Sequence, residues 1–206
     1  MKTKLFALLI TLGLSSVAFA DDTRTITKTF SKKDSAELAI DVPVGSVDID
    51  TYDGDSIEVT IVLSHKNDDS WFAKKINLDE FELESKQSSK ALALTIDSDD
   101  IEQEWQVKVP ASMALDLELG VGNVKVVDLA NSAAIEVGVG KVRIDTSLDD
   151  FKSVKLDSGV GHTSINGFSV AMNEERNMVG SEVKYRGKGE HSIAVELGVG
   201  NIRLSH

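Results

Sequence analysis

Along most of this chain apolar residues fall on every second position, the period of a strand with one buried face. From Leu115 the sequence reads LDLELGVGNVKV: alternation, a Gly-Val-Gly interruption, then alternation again. The phrase returns as IEVGVGKVRI, VKLDSGVGHTSI and VELGVGNIRL, and an earlier version spans Leu38–Ile49 with Pro43-Val44-Gly45 at its centre. The closing glycines lie at 122, 140, 161 and 200, which gives spacings of 18, 21 and 39. The last gap is close to a doubled period, and Met178-Val179-Gly180 near its middle reads as a degenerate copy. A period of this size predicts a β-solenoid, a stacked β-strand repeat whose coils share one core.

The interruption carries a geometric constraint. Leu115, Leu117 and Leu119 share one parity, whereas Val124 and Val126 share the other. On a straight strand a one-residue slip turns every later side chain to the opposite face. The turn must therefore redirect the chain so that both arms point their aliphatics inward. Glycine at each end supplies positive φ or a bulge, and Val121, Val139, Val160 and Val199 are expected to plug the corner. Two geometries meet the constraint. In a solenoid the turn is a corner and equivalent arms of different copies pair in parallel. In an antiparallel meander or sandwich the two arms pair with each other, and Glu118 faces Lys125. Constant spacing favours the first, matched charges the second.

The rest of the chain is less regular. Asp21–Lys33 reads as an entry strand, Ile57–Leu63 as a second, and Trp105–Pro110 as a third stopped by proline. Phe81–Ser85 and Ala91–Ile96 suggest a hairpin around Lys86–Lys90. Trp71–Ile76, preceded by capping residues Asn67–Ser70, is the only helical candidate in residues 21–206. The acidic run Asp97–Glu104 reads as a solvated loop. Residues 21–206 are thus expected to form a single β-repeat domain, irregular over 21–110 and regular over 111–206.

Residues 1–20, MKTKLFALLITLGLSSVAFA, have the basic start, short apolar run and Ala18-Phe19-Ala20 ending of a cleaved signal peptide. Cleavage before Asp21 implies a periplasmic or secreted protein, and no stretch is long and apolar enough to span a membrane. The sequence has no Cys, which excludes disulfides, thiolate metal sites and a lipidated cysteine. Its net charge of −12 becomes −14 once the two leader lysines are gone, which argues against nucleic acid as a partner.

At VKVPASMALDLELGVGNVKVVDL and the copies that follow, the chain resembles the bacterial envelope family known as the putative adhesins of unknown function. The shared mark is a Val-Pro strand end followed by repeated Gly-x-Gly-[Asn/Asp]-Val turns, and the similarity covers Ser35–His206. The resemblance implies an all-β, solenoid-like fold outside the cytoplasm and brings no catalytic residues with it. Lys141 and His162 depart from the family's turn pattern, as does the Trp71–Ile76 insert.

Chemistry is sparse. A polysaccharide-active solenoid enzyme would need converging carboxylates, for which the candidates are Asp97, Asp99, Asp100, Glu102 and Glu104, or Glu118 with Glu136. The bland reading of these groups is a solvated face. His65, His162, His191 and His206 lack metal-ligand spacing, and neither a cofactor motif nor a calcium-binding nonapeptide is present. The outward positions say more. Glu118, Glu136, Asp157 and Glu196 precede the turns, while Lys125, Arg143 and Arg203 follow them, with Ser164 at the fourth place. One account pairs Glu118 with Lys125, Glu136 with Arg143 and Glu196 with Arg203 inside each repeat. The other makes Lys125, Arg143 and Arg203 a basic stripe for an anionic envelope polymer, lipid headgroups or another envelope protein. The expected function is that of a non-enzymatic, adhesin-like binding or structural module.

Overall fold

The computed structural model describes residues 23–33, 35–66, 76–168, 173–176 and 179–206. Residues 1–20, read from the sequence as a signal peptide, and Trp71–Lys75 of the helical candidate lie outside these residues. Five long strands carry the repeated phrase; with the shorter ones between them they are numbered in chain order. They are β1 (Thr23–Ser31), β2 (Glu37–Tyr52), β3 (Ser56–His65), β4 (Glu84–Gln87), β5 (Ala91–Thr95) and β6 (Ile101–Pro110). Then come β7 (Ala114–Leu129), β8 (Ala133–Thr146), β9 (Ser153–Asn166), β10 (Asn173–Arg176), β11 (Ser181–Arg186) and β12 (Ser192–Ser205). Among the described residues the only helical element is a 3-10 turn, Leu78–Glu80.

The phrases stack in parallel and in register. Gly45 lies beside Gly122, Gly122 beside Gly140, Gly140 beside Gly200, and Gly200 beside Gly161. The arms of one phrase do not pair with each other, so the solenoid-like stack holds and the hairpin reading fails. Leu38, Ile40 and Val42 before the corner, and Val47 and Ile49 after it, are all buried in one aliphatic core with their counterparts on the other strands. Each long strand is therefore one coil of a stack, bent at its glycines over a shared interior.

The order of the stack differs from the order of the chain. The sequence runs β2-β7-β8-β12-β9 across the sheet, so the C-terminal strand is inserted between β8 and β9. Connection length accounts for this. Three residues (130–132) join β7 to its neighbour β8, whereas six (147–152) join β8 to β9. Adjacent strands lie about 4.8 Å apart, and the longer connection crosses two such widths, leaving the slot that β12 fills. The expected degenerate copy at Gly180 is corrected by the same observation. The Gly161 N–H donates to the Val179 carbonyl (2.8 Å), but from Ser181 the chain runs antiparallel to β9 and forms no further coil.

At the corners the second glycine of each phrase has φ between 143° and 155°. Shape alone would also require glycine there: a Cβ on Gly140 would overlap the carbonyl oxygen of Gly122, and one on Gly122 that of Gly45. The central valines do not plug the corner. Val121, Val139, Val160 and Val199 are 46–50% exposed, because the redirected backbone turns them outward. Each stands in register with the valine of the next coil, so they form a ridge along the stack.

Beyond the coils the two layers are extended differently. β5 and β4 continue the first-arm layer on one side, and β11 and β10 on the other. β6, β3 and β1 continue the second-arm layer from β2. The expected hairpin is present as β4 and β5, beginning at Glu84 rather than Phe81. The acidic run Asp97–Glu104 is not one loop: Ile101–Glu104 belong to β6, and Ile101 and Gln103 are fully buried. Gln103 closes the corner row beside Gly45. Its amide donates to the Ile96 carbonyl (2.9 Å), and its carbonyl oxygen accepts from the Trp105 indole (3.0 Å).

Candidate functional site

A bent strand with aliphatics inside has two outer faces, one for each arm. Parallel in-register stacking then repeats whatever side chain stands at each position, at about 4.8 Å intervals. The first arms place Asp41, Glu118, Glu136, Glu196 and Asp157 in a single row across β2, β7, β8, β12 and β9. Glu182 on β11 continues it. The second arms place Lys125, Arg143 and Arg203 in another row, bounded by Asp48 on β2 and Ser164 on β9. The first-arm wall is thus acidic, and the second-arm wall carries a basic row with Asp48 and Asp50 on β2 and Asp145 on β8 around it.

The expected pairing of Glu118 with Lys125 and of its two counterparts is not formed, since the partners stand on different walls. Among the described residues none of Lys125, Arg143 and Arg203 makes an ion pair, and all three are exposed. Lys141, set aside by sequence reasoning as an irregular turn residue, stands one row nearer the corner between Asn123 and Asn201. It widens the basic patch, and His162 beside Asn201 continues that row. The signal for Lys141 was its parity with Arg143 on the same strand, which puts both side chains on one face.

The acidic wall is partly compensated, at one end. Lys155 donates to Glu196 (2.5 Å) and Lys184 lies 2.7 Å from Glu182. The hydrogen bond to Glu196, reinforced by the charges of Glu196, Asp157 and Glu182, raises the Lys155 ammonium above the usual lysine range. Behind them Asp150 ties two loops together. It accepts from the Tyr185 hydroxyl (2.5 Å), the Lys188 N–H (3.0 Å) and the Phe151 N–H (2.8 Å). The Tyr185 bond, then the two backbone donors, hold its carboxyl below the ordinary range. The same bond pushes the Tyr185 phenol up. Toward β2, Lys86 of β4 lines a hollow together with Asp41, Asp116 and Glu118, but Glu118 and Glu136 make no ion pair among the described residues.

Two hollows accompany the acidic row. A groove of about 690 Å³ runs along it, floored by the first glycines of the corners and edged by Glu118, Glu136 and Glu196. A smaller hollow of about 240 Å³ lies between Ala39, Ala93 and Thr95, with Glu84 and Lys86 at its rim. The other carboxylates considered for catalysis are scattered. Asp97, Asp99 and Asp100 sit exposed in the loop before β6, Glu102 and Glu104 lie on β6, and none of the five lines either hollow. Among the described residues no three groups of metal-binding type converge, and no helix is long and apolar enough to cross a membrane.

The chain belongs to the family described as the N-terminal domain of toast_rack, DUF2154, whose model matches residues 16–166. Its fold is similar to that of a putative cell adhesion protein from Clostridium sporogenes ATCC 15579. The two are 16% identical, with a TM-score of 0.50 over 89% of this chain and 99% of that one. A looser likeness, with a TM-score of 0.30 at 9% identity, is to a putative adhesin from Bacteroides fragilis NCTC 9343, over 89% of this chain and 97% of that one. No curated protein matches the sequence.

Proposed function

We propose, from membership of this family and the charge layout of the stack, that the protein is an exported, non-enzymatic binding module. Its ligand is anionic and is held on the second-arm wall by Lys125, Arg143 and Arg203. The observation that carries this reading is a row of three exposed cations at one coil position, without an ion-pair partner among the described residues, in a protein of net charge −12. Like charges directly opposite on neighbouring strands are destabilising. Apart from Asp48 opposite Lys125, the fold has nothing that offsets this row, whereas a polymer or membrane surface with regularly spaced phosphates or carboxylates would be met by it. The leader expected at residues 1–20 and the name of the Clostridium neighbour, a putative cell adhesion protein, support a periplasmic or secreted location and an envelope partner. Five of the candidate carboxylates are dispersed over a loop and β6, which favours binding over hydrolysis, whereas Glu118 and Glu136 stand side by side along the groove.

The test is retention on anionic envelope lipids and on anionic envelope glycans, at low and at physiological salt. Wild type should be retained at low salt and released as screening rises. The triple variant K125Q/R143Q/R203Q should lose this salt-sensitive retention. Identical retention of the two proteins at low salt would remove the basic wall from the function.

A further inference from the structure

The groove along the acidic row, the valine ridge and the basic wall are the surfaces that the fold leaves unpartnered, and two of them match each other. Glu118, Glu136 and Glu196 stand on β7, β8 and β12; Lys125, Arg143 and Arg203 stand on the same three strands. Both rows therefore have the same order and the same spacing, set by the hydrogen-bonded distance between strands. Asp116 on the acidic wall and Lys141 on the basic wall add one more charge to each, on the same face as its row, while Lys155 on the first and Asp145 on the second carry the opposite sign. Both arms line one core, so the two rows face away from each other and cannot neutralise one another within a molecule.

We infer that the acidic wall of one copy docks on the basic wall of a second copy, with the stacking axes aligned and acid set against base coil by coil. Charge complementarity and shared register carry the inference. It rests on the basic row of the proposed function and names a further partner for it. The contact is heterologous: each copy retains a free acidic wall and a free basic wall, so association continues into open chains rather than closing as a dimer. Each exposed pair contributes little, and the net negative charge of the protein opposes assembly. The association is accordingly weak and salt-sensitive, and a surface that concentrates the protein would favour it.

Sedimentation velocity at protein concentrations up to about 100 μM, in about 20 mM and about 500 mM salt, tests this with the full chain as recovered from expressing cells. Wild type should self-associate in low salt and be monomeric in high salt. Two charge-reversed variants follow: K125E/R143E/R203E has two acidic walls, and D116K/E118K/E136K has two basic ones. Each alone should remain monomeric in low salt, and an equimolar mixture should associate. All six positions lie on outer faces, and K125Q/R143Q/R203Q, also expected to be monomeric, provides a milder second variant. Wild type that stays monomeric in low salt overturns the inference, as does association unchanged by reversal or a mixture that fails to associate. The lipid and glycan test remains separate. D116K/E118K/E136K keeps the basic wall and should still be retained on anionic surfaces, and wild type that is retained there yet stays monomeric in low salt marks the inference alone as wrong.

Discussion

The two walls of the stack are built from the same five strands, yet they handle charge in opposite ways. On the first-arm wall, lysines of β9 and β11 reach the acidic row, and Lys155 and Lys184 engage Glu196 and Glu182. On the second-arm wall, the cations of β7, β8 and β12 face solvent without an ion pair among the described residues. A stack that repeats every side chain at strand spacing cannot avoid rows of like charge. It can offset them, as it does at one end of the acidic wall. Where it does not, the row lies outside what stability explains, and the argument for binding starts there.

The comparison depends first on the corner that separates the walls. Gly140→Val should destabilise the protein by about 3–5 kcal/mol, since a Cβ there meets the neighbouring backbone and a β-branched residue is forced to positive φ. Val139→Asp, one residue earlier, should cost less than about 1 kcal/mol because that side chain is half exposed on the ridge. Denaturant midpoints of the two variants decide the matter; an equal loss in both would mean that the ridge is packed after all.

The compensated end of the acidic wall can be broken through Asp150. Its carboxyl is held below the ordinary range in the folded protein. Its contribution to stability is thus complete above the unfolded value of 3.8 and is lost as pH falls through the lower folded value. Asp150→Asn should lower the melting temperature at neutral pH, and the difference from wild type should shrink as pH falls below 3.8. A gap that is constant with pH would show that the loops are not held by the charged form.

The smallest effects sharpen the comparison most directly. Neutralising the basic row in K125Q/R143Q/R203Q should leave stability unchanged or raise it by less than about 1 kcal/mol, as repulsion between neighbours is relieved. Glu196→Gln should lower stability by a similar amount, since it removes the partner of Lys155. Both differences should fade in high salt. Opposite signs at low salt would establish that one wall is compensated and the other is not; a shared sign would erase the distinction.

Much of this was legible in the local pattern. Alternation located β2, β3, β7, β8, β9 and β12, and the parity slip across Gly-Val-Gly required a corner with both arms facing one core. The slip also asked for positive φ or a bulge at both glycines of each turn, and the structure has positive φ at the second one only. The charged rows were legible too, because parallel in-register stacking converts a repeated position into a row. Gln103 was not: inside an acidic run nothing local distinguishes a buried cap from a solvated residue, and its role depends on Gly45 and Trp105 arriving beside it.

What the tertiary structure alone decided is which coil lies next to which. VELGVGNIRL matches LELGVGNVKV so closely that alternation suits β12 to any slot in the stack, and its place between β8 and β9 follows from connection lengths and the antiparallel excursion of β10 and β11. Periodicity encodes which face of a strand is buried, a property of that strand alone. Neighbour order, the outward turn of the corner valines and the separation of Glu118 from Lys125 onto different walls are properties of the assembled stack, set by the path that the backbone takes between strands.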